Sequence, residues 1–245
     1  MKIIQVSDLH VSGSYFVPEW GDLVVDRINS INPDLLIISG DLTDDGHMFE
    51  YEKAVEFVNR FKVKNRFMVP GNHDARNEGY KLFEEHFGDR FPVFENDQVF
   101  IQGFDSSAPD TDEGHIGREN YKRFSAVKNA SGKLKMIVVH HHVIPIPGTG
   151  REENVLSDSG DFLGLIIESG INLVLSGHRH LPWIWRLEET YFITAGAATT
   201  WRLKAHSNAS FNIFDISGDR VRMNQVYIID NKLEEKTKLD IKIRL

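Results

Sequence analysis

The sequence predicts an α/β protein in one two-sheet domain with its helices packed outside. Three observations carry this. Short apolar runs recur along the chain as KIIQV, LLIIS, RFMVP, KMIVV and NLVLS; runs of that length, rich in β-formers and bounded by polar and glycine residues, read as strands buried on both faces. Up to Gly88 such runs alternate with segments of helical period, the pattern of a parallel sheet with covering helices. From Trp183 onward the pattern turns to hairpins.

Taken in order, residues 2–6 form the first strand, and Gly13 marks a loop over 11–18. Residues 19–31 form a helix with Leu23, Val24, Ile28 and Ile31 on roughly one face, stopped by Pro33. Strand 35–39 precedes a helix over 48–61, where Phe49, Tyr51, Ala54, Val55, Val58 and Phe61 keep helical spacing. Strand 66–69 ends at Pro70-Gly71, and helix 77–87 is capped by Gly88. Residues 93–95 and 99–104 read as neighbouring strands. A polar loop (105–119), a helix (120–129), a strand (134–139) and a Gly/Pro-rich loop (143–157) come next. The helix over 158–169 is capped by Ser157 or Asp158, and strand 171–176 succeeds it. Two hairpins, 183–187 with 191–194 and 210–216 with 220–228, close the pattern. The tail from Asp230 is highly charged and is assigned no element. A single domain over 1–245 is expected, with the motifs within 1–200 and a β-rich part over 201–245.

Composition narrows the function. The chain has 245 residues, 41% hydrophobic and 26% charged, an ordinary globular balance. Its formal net charge of −8 argues against a duplex nucleic acid partner. There is no cysteine, which excludes disulfides, thiolate metal sites and cysteine nucleophiles. No apolar stretch approaches the ~20 residues of a membrane span, so no membrane partner is expected. A cleavable leader would remove Asp8, so none is read and a cytoplasmic protein is expected.

The chemistry lies at the C-terminal end of each apolar run: Asp8-Leu9-His10, Gly40-Asp41, Gly71-Asn72-His73-Asp74, His140-His141-His142 and Gly177-His178-Arg179-His180. Ligands of α/β sheets bind beyond the carboxyl ends of strands. Asp8, Asp41 and Asn72 offer oxygens there, and His10, His140, His178 and His180 offer nitrogens. Mixed sets of this kind suit Mn, Fe, Co, Ni or Zn rather than Ca or Mg alone. Seven ligands exceed the need of one ion and suffice for two if a carboxylate is shared. Paired ions ~3.5–4 Å apart activate water and clamp a phosphoryl group. Two divalent ions against two carboxylates and a hydroxide leave a small positive surplus, suited to an anionic ester. Strand alternation turns His140 and His142 to one face and His141 to the other. His140 directly ends its run and is the favoured ligand, with His141 the alternative and His142 facing substrate. His115, on the polar loop, is read either as a surface histidine or as part of the substrate pocket.

The order Asp-x-His, Gly-Asp, Gly-Asn-His-Asp, His, Gly-His-x-His resembles the calcineurin-like metallophosphoesterase family. Within it the chain is most similar to class III cyclic-nucleotide phosphodiesterases and related glycerophosphodiesterases. That finer likeness rests on Gly103-Phe104-Asp105-Ser106-Ser107, on Gly114-His115-Ile116-Gly117 and on the run from Val139 to Pro145. The Trp-Leu pair common in the helix after that segment is missing. The resemblance implies a four-layer α/β/β/α sandwich of two mixed sheets flanked by helices. It implies that Asp8, His10 and His180 hold one metal ion, that Asn72, His140 and His178 hold a second, and that Asp41 bridges. Mn or Fe is favoured. A hydroxide between the ions would attack phosphorus in a small phosphodiester, with 3′,5′-cyclic nucleotides the first expectation. His73 would face the substrate with Asn72 and serve the leaving group, and Asp74 would orient its ring. Three rivals use the same core: a phosphomonoesterase or protein phosphatase, a nuclease, and a non-catalytic scaffold such as the retromer subunit of this fold. The β-rich C-terminal part is the expected surface for a homo-oligomer.

Overall fold

The computed structural model describes residues 1–149 and 155–245; the middle of the loop expected over 143–157 lies outside the described residues. The chain runs β1 (Lys2–Val6), α1 (Pro18–Ile31), β2 (Leu35–Ser39), α2 (Met48–Asn59), β3 (Arg66–Val69), α3 (Gly79–Phe87), β4 (Val93–Glu95), β5 (Val99–Phe104), α4 (Phe124–Asn129) and β6 (Leu134–Val139). It continues α5 (Ser159–Glu168), β7 (Leu173–Ser176), β8 (Trp183–Leu187), β9 (Thr190–Thr194), β10 (Ser210–Ser217), β11 (Arg220–Ile229) and β12 (Lys232–Lys242). Two six-stranded sheets result, in the orders β12-β11-β10-β1-β2-β3 and β4-β5-β6-β7-β9-β8. Both are mixed. β1, β2 and β3 run parallel, as do β5, β6, β7 and β9, while antiparallel strands extend one side of the first sheet and both edges of the second.

Alternation along the strands builds the layers. Ile3, Leu35 and Ile37 face the second sheet and meet Met136, Val138, Leu173 and Leu175 in the central core. Their neighbours Ile4, Leu36 and Ile38 face outward onto α1, α2 and α3 through residues such as Val24, Ala54 and Phe83. On the far side, Ile137, Val139 and Val174 carry Phe124 of α4 and Phe162 of α5. This is the expected α/β/β/α sandwich. Burying each aliphatic side chain in the central layer contributes about 1.5–3 kcal/mol, so the two sheets are held face to face.

Several local expectations shift for identifiable reasons. α1 starts at Pro18, whose missing N–H costs nothing in a first turn, and ends at Asn32 in the left-handed conformation (φ 49°) before Pro33. The helix expected over 120–129 is a tight 3₁₀ stretch, Arg118–Arg123, leading into α4. Asp158 sits at the N-cap of α5, but its side chain does not cap the helix. It accepts instead from the backbone N–H groups of Ile116 and Gly117 and from the Tyr121 hydroxyl.

The charged tail holds the largest departure. It forms β12, the edge strand of the first sheet, antiparallel to β11. The turn between them is Asp230-Asn231, both with positive φ (49° and 54°), as a two-residue hairpin requires. Charged side chains suit a solvent-facing edge, which is why polarity hid this strand. Among the described residues no helix is long and apolar enough to cross a membrane.

Candidate metal centre

The parallel strands deliver their carboxyl ends to one rim, where the chain leaves each strand abruptly. Asp8, His10, Asp41, His178 and His180 all have positive φ, between 45° and 73°. Non-glycine residues adopt this region at a cost, and such residues cluster where function fixes a geometry. Gly40, with φ 96°, lets the backbone pass so close that a Cβ there would strike the His140 ring.

The rim gathers two donor sets. Asp8, His10, Asp41 and His180 bring one ligand atom each within 4.8 Å of one another, and so do Asp41, His140 and His178. Asp41 belongs to both. Its Oδ1 accepts the His73 backbone N–H at 3.0 Å, which turns Oδ2 to lie 3.3 Å from His140 Nε2 and 3.7 Å from His10 Nε2. Asn72 completes the second set. Its amide donates through Nδ2 to Asp112 Oδ1 at 2.9 Å, leaving Oδ1 at 3.0 Å from His178 Nδ1 and 3.2 Å from His140 Nε2.

The protons show what the sets are built for. His140 Nδ1 lies 2.8 Å from the Ser39 carbonyl oxygen, His180 Nδ1 meets the Arg202 carbonyl oxygen, and His10 Nδ1 lies 3.1 Å from Asp44 Oδ1. Those oxygens can only accept, so Nδ1 of His140 and of His180 carries a proton, and in the singly protonated form of either ring Nε2 is a lone pair. In that form the His180 Nε2 lone pair faces the Asp8 Oδ1 acceptor at 3.2 Å, with His10 Nε2 3.1 Å away. Acceptors converging on acceptors in a buried pocket repel unless a cation lies between them. The donor set fits a metal, with the Nδ1 partners fixing ring orientation as outer-shell groups do.

Charge points the same way. Burial raises the pKa of Asp41, but His140 and His73 outweigh it and hold the carboxyl well below its usual range; His180 does the same for Asp8 against burial. Burial opposes charge on His140, yet Asp41 and Asp8 push it up to about 9. Burial lowers His10 to about 4 and His178 well below its ordinary value. A proton on His140 and a cation at the rim would serve the same carboxylates, so a metal bound there would displace that proton.

The remaining expected residues take up different places. His141 bonds Ser106 Oγ at 2.8 Å and sits 3.2 Å from the Asp112 carbonyl oxygen, outside both donor sets, while His140 lies in one of them. The strand ends at Val139, and alternation does not extend through the three histidines. His142 is buried, its ring 6.0 Å from that of His178. His115 is not brought to the centre: its side chain is exposed and reaches Ser157 Oγ at 3.1 Å, because Asp158 anchors the next two backbone N–H groups and turns the loop outward. His73 packs edge-on against His10, ring centroids 4.6 Å apart.

Asp74 departs from its expected role. Its carboxylate accepts from Thr43 N, Thr43 Oγ1 and Gly71 N, so it clamps two loops together and does not touch the His73 ring. Asp44 holds that ring instead, through its backbone oxygen at His73 Nδ1. Its carboxylate is 3.1 Å from His10 Nδ1 and 2.7 Å from Arg202 Nη1. Sequence reasoning misses Asp44, Arg202 and Asp112. Only Asp44 leaves a local sign, three residues after Asp41 in the same turn.

Carboxylate and imidazole donors at the strand ends of a four-layer sandwich make a candidate metal centre. Residues 1–182 match the calcineurin-like phosphoesterase family, and the chain belongs to that family of phosphoric ester hydrolases. It is 27% identical to a "probable cyclic nucleotide phosphodiesterase" of Coxiella burnetii over 213 residues, 83% of this chain and 85% of that protein. It is 31% identical to a "probable glycerophosphodiester phosphodiesterase" of Arcobacter nitrofigilis over 157 residues, 58% of this chain and 57% of that protein. Among solved structures, the purple acid phosphatase of yellow lupin superposes with a TM-score of 0.74 at 9% identity, over 96% of this chain and 52% of that one. Vps29 of Entamoeba histolytica superposes with a TM-score of 0.60 at 15% identity, over 99% of this chain and 100% of that one. These two likenesses are of fold.

Proposed function

We propose that the chain is a dinuclear metal-dependent phosphodiesterase of small phosphodiesters, 3′,5′-cyclic nucleotides first among them. The sharing of Asp41 between the two donor sets carries the dinuclear reading. Asp8, His10 and His180 would hold one ion and Asn72, His140 and His178 the other, with Mn or Fe favoured among Mn, Fe, Co, Ni and Zn. Bound ions supply an activated water and neutralise charge on a phosphoryl group. The chain's own part is to hold Asp41 by the His73 backbone N–H and to keep the His73 ring beside the centre. There it would donate to the leaving oxygen, steadied by Asp44. The diester preference draws its support from the two similar proteins named as phosphodiesterases.

A phosphomonoesterase is the second reading, because Arg76 and Arg202 lie near His73 and could meet a dianionic phosphate. Both are already engaged, Arg76 by Asp45 and Asp112 and Arg202 by Asp44, so the diester reading is preferred. The test is turnover of bis-p-nitrophenyl phosphate and p-nitrophenyl phosphate by metal-free protein reloaded with Mn²⁺. Faster diester cleavage that collapses in His73→Ala is expected, then turnover of cyclic AMP or GMP. Faster monoester cleavage would move the assignment to a phosphatase.

A further inference from the structure

The centre straddles two separate sheets. Asp8, His10, Asp41 and Asn72 leave strands of the first sheet; His140, His178 and His180 leave strands of the second. Each donor set draws on both, so neither exists unless the sheets stand in one fixed relation. Most of what lies between them is apolar, and apolar contact resists separation while specifying little about sideways register. Something directional is needed at the end where the donors converge.

A ladder of buried amides lies there. Gln5, Asn212 and Gln225 are lateral neighbours across β1, β10 and β11, all at most 3% exposed. The Tyr227 hydroxyl donates to Gln225 Oε1. Gln225 Nε2 donates to Asn212 Oδ1 at 3.4 Å, and Asn212 Nδ2 to Gln5 Oε1 at 3.0 Å. Every amide accepts on the outer side and donates inward, so none can flip without breaking at least two bonds. Gln5 Nε2 ends the ladder with two acceptors on different sheets: Ser39 Oγ at 3.1 Å and the Ser176 carbonyl oxygen at 3.0 Å. Ser39 immediately precedes Gly40-Asp41, and its carbonyl oxygen holds His140 Nδ1. Ser176 immediately precedes Gly177-His178.

We propose that Gln5 is a positioning residue of the metal centre. Its carboxamide ties the end of β2 to the end of β7 and so sets the distance between the donors of the two sheets. The inference rests on the metal-binding reading of those donors. Gln5 touches none of them; it fixes the residues from which Asp41 and His178 are hung, and through Ser39 the oxygen that orients His140.

The test compares Gln5→Leu, of similar size without the hydrogen bonds, with Ile3→Ala, a cavity on the same face of the same strand further from the centre. Metal-free proteins are titrated with Co²⁺, monitoring the visible ligand-field bands and the affinity for each ion, and their unfolding midpoints are measured in parallel. At least a tenfold loss of affinity with altered bands is expected for Gln5→Leu. Ile3→Ala is expected to keep wild-type bands and affinity despite a lower midpoint. Wild-type affinity and bands in Gln5→Leu, or equal losses of affinity in both variants, would overturn the proposal. Ser39→Ala removes one of the two acceptors with little change of volume; it is read the same way, with a smaller loss, should Gln5→Leu not fold. A wild type that binds one ion would sink the dinuclear reading alone, since the affinity ratio for that ion still decides the role of Gln5.

Discussion

Gly177→Ala is the sharpest steric probe of the centre. A methyl group at this position would fall inside Ser7 Oγ, 2.7 Å from Asp8 Oδ2 and 3.0 Å from Ser7 Cβ, where ordinary contact begins at 3.4 Å. The Ser7 hydroxyl could swing away, but it donates to the Ser39 carbonyl oxygen at 3.2 Å in a fully buried setting. Losing that bond costs about 1–3 kcal/mol. The overlap with Asp8 remains, and overpacking of this kind costs about 1–3 kcal/mol more. The metal-free protein should therefore lose about 2–6 kcal/mol and bind more weakly the ion that Asp8 would hold. Urea denaturation at constant m-value measures the first, and metal titration the second. Gly164→Ala is the control: it lies within α5 with nothing inside 4 Å of the added carbon, so helix propensity should stabilise it by roughly 0.5–1 kcal/mol. Should Gly177→Ala unfold within ~0.5 kcal/mol of wild type, as an unconstrained surface change would, the close packing of Gly177 against Ser7 and Asp8 is wrong.

Asp112→Ala frees the Asn72 amide from the bond that aims its oxygen at the imidazoles; because Asp112 is largely exposed, stability should hold within ~0.5 kcal/mol while metal affinity drops about tenfold or more, as calorimetric titration would report. Asp158→Asn tests a charge. Burial raises the Asp158 pKa, but the N–H groups of Ile116 and Gly117 and the Tyr121 hydroxyl outweigh it and the net shift is downward. Wild type should therefore be more stable than Asp158→Asn above about pH 4, its unfolded value, and the gap should close as pH falls through the lower folded value; a gap in denaturation midpoints that never narrows as pH is taken below about 4 would refute this. Stripping metal with a chelator should lower the melting temperature, and Mn²⁺ at a hundredfold excess over its dissociation constant should restore about 2.7 kcal/mol. A melting temperature indifferent to both treatments would contradict the binding of metal by the folded state.

The candidate donors were legible in the sequence because each sits next to the strand that carries it. An apolar run leading at once into Asp-x-His or Gly-Asn-His-Asp states both the position and the chemistry, and the layers come from alternation in those same runs. The groups that fix the donors were not legible, since they come from elsewhere in the chain. Asp112 aims Asn72 across a separation of 40 residues, and Arg202 reaches Asp44 across 158. His115 stood in a suggestive motif but is turned outward by Asp158, whose carboxylate holds the N–H groups just beyond it. β12 was hidden by its own charge, since its pairing is written in the Asp230-Asn231 turn and in β11 and not in any apolar period.

Gln5 sharpens the point. In the sequence it is a lone polar residue inside an apolar strand, between Ile4 and Val6. Buried polar groups cost stability unless they are paired, so its presence there asks for partners. They lie 34, 171 and 207 residues along the chain, in Ser39, Ser176 and Asn212. A leucine would pack a central sheet position at no such cost, and the other inward position on that strand, Ile3, shows what packing alone selects. The amide is therefore explained by direction and not by burial. It is the one central-layer residue of β1 that can dictate where the second sheet's histidines stand relative to the first sheet's carboxylates.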